Sequence, residues 1–254
     1  MISHRALLRP LRALVAGVLI HGTAAFAQQA TFPYPEKLTY HVEWRLVDAG
    51  TATAQQRHGN AQGWSIDLSL ESGGLVSRLY RVLDTYRVVT NDGFCGNNAY
   101  LDAQEGKKHI TARLTFDTTR HKVIYDEKDL ARNISQHKEL DSQPCTYDII
   151  GALGALRVTP PPLGKSITLP ITNGKKFVMG KIEAQGKDKV SAAGKNYSAI
   201  RYEAYLFDNV LYRRKGTLFV WLSDDSDHTP VQIQLHLGFP IGTVTVSLEK
   251  DELL

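Results

Sequence analysis

Polar and apolar residues alternate along most of this chain. Leu38, Tyr40, Val42, Trp44 and Leu46 fall on one strand face, and Thr39, His41, Glu43 and Arg45 on the other. That period of two predicts a strand with one buried face. Asp48-Ala49-Gly50 supplies a turn, and Thr51 to Arg57 reads as the returning strand. Trp64, Ile66, Leu68 and Leu70 alternate again. Leu79 to Thr90 (LYRVLDTYRVVT) reads as a long strand, with a short helix at its start as the alternative, and Asn91-Asp92-Gly93 turns the chain. Ile110, Ala112, Leu114 and Phe116 alternate with polar residues, and Lys122 to Tyr125 follows as a short strand.

One segment departs from this period. Tyr147 to Val158 (YDIIGALGALRV) spaces Ile149, Leu153 and Leu156 at i, i+4 and i+7, which predicts an amphipathic helix despite Gly151 and Gly154. Pro160-Pro161-Pro162 ends it. Alternation resumes in Phe177–Glu183, Lys187–Ser191, Asn196–Phe207, Val231–Leu237 and Gly242–Leu248. Gly216 to Leu222 (GTLFVWL) is nearly all apolar, the pattern of a strand buried on both faces. The expectation is a mainly β protein of about a dozen strands. Its antiparallel sheets form a sandwich or an open or half β-barrel, with one amphipathic helix near 147–158.

Four strings occur in an order that resembles a known family. They are KLTYHVEWRLVDAGTA from Lys37, Tyr80-Arg81-Val82-Leu83-Asp84, YDIIGALGALR from Tyr147, and Trp221-Leu222-Ser223-Asp224-Asp225 with Pro230-Val231. They are similar to the DUF3108 family of exported bacterial proteins, over about residues 33–250. The resemblance implies a domain of unknown function and, by analogy, the open β-barrel of lipoprotein carriers; it supplies no catalytic residue.

The amino terminus changes the cellular picture. Arg5, Arg9 and Arg12 precede the apolar run Ala13–Ile20, and Ala25-Phe26-Ala27 fits a signal-peptidase site, so residues 1–27 are expected to be a cleaved signal peptide. The run is shorter than the roughly 20 residues a membrane span needs. The expected location is the periplasm, with a single β-rich domain over 28–254 that does not span the membrane. The net charge is +4, of which those three arginines supply +3, leaving the mature domain near neutral. No stripe of basic residues with interleaved aromatics argues for nucleic acid.

Cys95 and Cys145 are the two cysteines. In an oxidising compartment they are expected to form a disulfide closing a loop of about 50 residues. Asp224, Asp225, Asp227 and His228 are the densest set of metal-ligand types, but their spacing lacks the turn glycine of a calcium loop and reads as a polar turn. No metal site and no cofactor is therefore expected. His41, Glu43 and Arg45 share a strand face that alternation alone makes solvated; Asp84 and Arg113 are further polar candidates. No G-x-S-x-G, H-E-x-x-H, Walker or dinucleotide motif is present. Tyr40, Trp44, Tyr80 and Trp221 lie in strand-like segments as candidate ligand-binding aromatics, against the ordinary alternative of core packing. The expected function is non-enzymatic binding or carriage of an apolar or amphiphilic envelope molecule, a lipid or glycan. The alternatives are an enzyme acting on envelope polysaccharide or peptidoglycan, and a structural scaffold.

Overall fold

Alternating segments of this kind have one apolar face each, and the chain buries those faces by curling a single sheet around a helix. The computed structural model describes residues 32–59, 63–206, 216–238 and 242–254. The segment expected to be a signal peptide, with its cleavage after Ala27, lies outside them. Fourteen strands form one open antiparallel sheet, and two helices complete the described elements.

The first hairpin is β1 (Glu36–Trp44) and β2 (Val47–His58), followed by β3 (Trp64–Ser72), the short helix α1 (Gly74–Leu79) and β4 (Val82–Thr90). Next come β5 (Gly96–Glu105), β6 (Lys108–Asp117), β7 (Lys122–Asp129) and β8 (Ile134–Asp141). After α2 (Ile149–Val158) follow β9 (Ser166–Thr172), β10 (Phe177–Ala192), β11 (Lys195–Tyr205), β12 (Gly216–Ser223), β13 (Pro230–Leu237) and β14 (Gly242–Leu253). Each strand pairs with its sequence neighbours except across the β8–β9 break, and β14 returns to pair with β1. The free edges are β8 and β9, the two strands that α2 connects.

Three predicted features take a more specific form here. Gly216–Leu222 lies in β12, whose last four residues are all buried. Val220 and Leu222 belong to one apolar cluster and Trp221 to another, so the strand is buried on both faces. The two segments 177–183 and 187–191 are one 16-residue strand, β10, whose pairing with β11 shifts between Ala184 and Gly186. That bulge turns Ile182 and Ala184 toward the cluster around α2, and Val190 and Ala192 toward the cluster of Leu38, Tyr40 and Leu248. Leu79–Thr90 splits into the end of α1 and β4, the alternative left open above.

α2 is not the half-wet helix its i, i+4, i+7 stripe predicts. Ala152 and Leu156 pack into the β9–β13 wall, while Ile150 and Ala155 pack into the β3–β7 wall. Its glycines explain the second contact. Phe94 is fully buried, in stacked contact with both Phe32 and Trp64 (centroids 5.8 and 6.0 Å). A Cβ on Gly154 would stand 2.4 Å from the Phe94 ring, and one on Gly151 would stand 2.5 Å from the Phe94 carbonyl oxygen. Helix propensity alone would make Gly154→Ala stabilising by about 1 kcal/mol. Overpacking against a ring pinned between two others costs about 1–3 kcal/mol. Gly154→Ala is therefore expected to lower stability, and urea unfolding checks it; a rise in midpoint would mean that α2 does not sit on Phe94.

Candidate functional site

Cross-strand register shows which side chains face α2. Leu38, Ala54, Leu68, Tyr86, Leu101 and Ala112 are successive partners across β1 to β6 and share one face. On the other arm of the sheet Trp44, Val244, Leu235, Leu218, Ala204 and Ile182 do the same across β1 and β14 to β10. α2 lies between these two rows and does not fill the space between them. A cavity of about 200 Å³ lies on the β9–β13 side, lined by thirteen residues that are all aliphatic, among them Leu153, Leu206, Leu218 and Leu235. A second, of about 300 Å³, lies on the β3–β7 side against Leu68, Tyr86, Leu101, Leu114 and Tyr125, with Thr172 and Asn173 as its polar wall. Ile149 and Ile150 line both. Larger depressions of about 670 and 480 Å³ are open and polar. The first is lined by outward side chains such as Thr53, Gln55 and Arg57, and its Asp67 is paired with both Arg57 and Arg87.

Both ends of α2 are fixed by polar contacts. Asp148 caps the helix, accepting from the backbone N–H of Gly151 (2.8 Å) and Ile150 (3.2 Å), and also from the Tyr86 hydroxyl (2.9 Å). Burial pushes its carboxyl above the usual range against those three donors, and burial likewise raises the Tyr86 phenol. Just before the cap, Tyr147 bridges in parallel to Ile171 of β9. Cys145 is bonded to Cys95, with the Cα atoms 5.1 Å apart. At the other end Arg157 makes a bidentate pair with Glu36, both nearly inaccessible. Arg157 also donates to the carbonyls of His228 (3.1 Å) and Asp227 (3.2 Å), and its guanidinium lies 3.7 Å from the centre of the Phe32 ring. His228 Nδ1 donates back to the Arg157 carbonyl (2.7 Å).

The Asp224–His228 segment is a polar turn. Asp225 Oδ1 accepts from Ser223 Oγ and from the backbone N–H of Asp227 and His228, while Asp224 pairs with Lys187. The four aromatics picked from the sequence do not converge. Tyr40 and Trp221 share an apolar cluster with Leu38 and Leu248; Trp221 donates to Asp188 (2.9 Å), and burial raises the Tyr40 phenol. Trp44 occupies the same register row as Leu218 and Leu235, with Arg45 stacked on it at 5.4 Å. Tyr80 follows α1 and is 46% exposed, its ring against Gly106. The lining of the two cavities is mostly leucine and isoleucine, which sequence reading passed over. The available signal was in α2, where Ile149, Ile150, Leu153 and Leu156 occupy too many sides of the helix for one dry stripe.

Asp84, on β4, accepts from the Gln104 N–H (2.9 Å). Burial, then the charge of Glu105, pushes its carboxyl up to about 6. The folded state therefore holds this proton more tightly than the unfolded chain. The resulting stabilisation is complete below about pH 4 and is lost as pH rises through about 6. Asp84→Asn, which keeps the acceptor oxygen, should remove that loss. The group is half-exposed, so solvent screening leaves an expected gain of about 1 kcal/mol at pH 7 and little change at pH 4. Denaturation at the two pH values checks it.

DUF3108, described as a protein of unknown function, matches residues 39–249. The chain belongs to the DUF3108 family. In this DUF3108 member, three of the strings that carry the resemblance meet at one point: Glu36 directly precedes Lys37-Leu38-Thr39-Tyr40, Arg157 ends the helix string, and Asp227 and His228 follow Trp221–Asp225. No curated protein matches the sequence. Among solved structures, a β-barrel-like protein of domain of unknown function DUF1849 from Brucella abortus is similar at 7% identity. The match covers 87% of this chain and 98% of that one, with a TM-score of 0.59. At that identity the likeness concerns the fold alone. Among the described residues no helix is long and apolar enough to cross a membrane.

Proposed function

We propose that this protein is a non-enzymatic binding module of the bacterial envelope, exported to the periplasm, that holds an apolar or amphiphilic molecule beside α2. The observation that carries the reading is the cavity with an all-aliphatic lining, with Ile149 and Ile150 also lining a second one that has a polar wall. Binding pockets are commonly mostly apolar, with a few polar groups that fix orientation. An amphiphile would place its tail among Leu153, Leu206 and Leu235 and its polar end near Thr172 and Asn173. A glycan ligand, by contrast, would need hydrogen-bonding groups that the aliphatic lobe lacks.

The test is titration with a fluorescent fatty-acid probe. The protein is expected to bind it with a blue shift in probe emission, and Ile149→Trp, whose larger side chain would intrude on the space Ile149 lines, to abolish binding without lowering the melting temperature. Absence of probe binding, or equal binding by the variant, would refute the reading. Export is checked separately, by cell fractionation and by the intact mass of the secreted protein, expected to begin at Gln28.

A further inference from the structure

The hairpins of the sheet alternate between two ends. α2 is held at one of them, by the β4–β5 turn through Phe94 and by the β12–β13 turn through Arg157. The opposite end carries the β1–β2 turn, α1 and the β5–β6 turn side by side. Gly73 N–H bonds the Ala49 carbonyl (2.8 Å), and Gly106 N–H bonds the Arg81 carbonyl (2.7 Å). This rim exposes Leu46 (89%), Leu75 (66%) and Leu79 (81%), together with Val47 and Tyr80. α1 buries none of its own residues, and its two leucines, four apart, share one helix face. Leu46 is also strained: Arg45 and Leu46 form a two-residue turn at φ 50° and 66°, a left-handed conformation that Asn-Gly adopts at far less cost. An apolar side chain in full water, on a backbone that disfavours it, gains nothing from the fold that displays it.

We propose that this rim docks on an anionic phospholipid surface. Leu46 stands on the β1–β2 turn, and Leu75 and Leu79 share one face of the short helix α1 beside it. Arg45, Arg78, Arg81, Lys107 and Lys108 are all exposed around them, against four acidic residues, Glu43, Asp48, Glu71 and Glu105. Leucine insertion combined with basic side chains at headgroup level is how peripheral proteins hold a bilayer surface. Docking through the rim does not require that the cavities be occupied.

Flotation with vesicles of phosphatidylethanolamine and phosphatidylglycerol tests it without any cavity ligand, so its failure and that of the binding reading are separate results. The wild-type protein is expected to float with the vesicles, less so as salt is raised. Leu46→Asn and Leu79→Ser are each expected to weaken partition about tenfold, from the loss of one inserted leucine. Leu46→Asn should at the same time keep or raise the melting temperature, because asparagine tolerates the left-handed turn. Wild-type protein that stays with the aqueous fraction would overturn the proposal, as would variants that partition unchanged. So would a dimer that Leu46→Asn dissociates, with no vesicle binding in either form.

Discussion

Arg157→Met is expected to lower the unfolding free energy by about 3–5 kcal/mol, the usual cost of removing one partner from a buried ion pair. The substitution would leave the Glu36 carboxylate buried without its counter-charge, and the carbonyls of His228 and Asp227 without a donor. It would also remove the guanidinium from the Phe32 ring. Glu36→Leu is expected to cost about as much for the mirror-image reason, a buried cation left without its carboxylate. The double variant should be less destabilised than the two losses added together, because each single change leaves a charge that the second one removes. Chemical denaturation of the four proteins gives the coupling directly. Full additivity would mean that Glu36 and Arg157 do not act as a pair.

Loss of the Cys95–Cys145 bond carries the second large effect. It closes a loop spanning 50 residues, and cross-linking a loop of that length restricts the unfolded chain by about 4 kcal/mol. The native geometry suits it, since a Cα separation of 5.1 Å falls inside the range that disulfides adopt. The bond ties the β4–β5 turn to the segment leading into α2, beside the Gly96 N–H to Thr146 carbonyl bond (2.9 Å). Reduction, or Cys95→Ala with Cys145→Ala, is therefore expected to lower the melting temperature by roughly 10 °C. Amide exchange should rise at Phe94 to Gly96 and at the first turn of α2 before it rises in the central strands. An unchanged melting temperature would show that the contacts around Phe94 hold this junction without the bond.

Particular elements show what could be read in advance. β1 buries every second residue from Glu36 to Val42, so its alternation survives in sequence. β12 is dry on both faces and reads as an unbroken apolar run. β5 was not predicted, because its inward residues include Ala99 and Ala103, too small to mark a face. β8 was not predicted because as an edge strand it buries almost nothing, and β9 carries Pro170, which an edge strand tolerates. α2 was found, but its two dry sides depend on how the sheet curls, a non-local fact that the i, i+4 stripe cannot encode. For the same reason the aromatics chosen by residue type were not the cavity lining. The residues facing α2 are set by cross-strand register, and ordinary leucines there have the same local pattern as leucines in a solid core.

The central claim is that the space beside α2 exists to hold an apolar or amphiphilic molecule. Native mass spectrometry of the protein isolated from the cells that make it, followed by organic extraction of whatever is released, tests this most directly. The expected result is a non-covalent adduct of an amphiphile on the wild-type protein and a bare mass for Ile149→Trp. A bare mass for wild-type protein purified gently from its native cells, or the same adduct on both proteins, would contradict it.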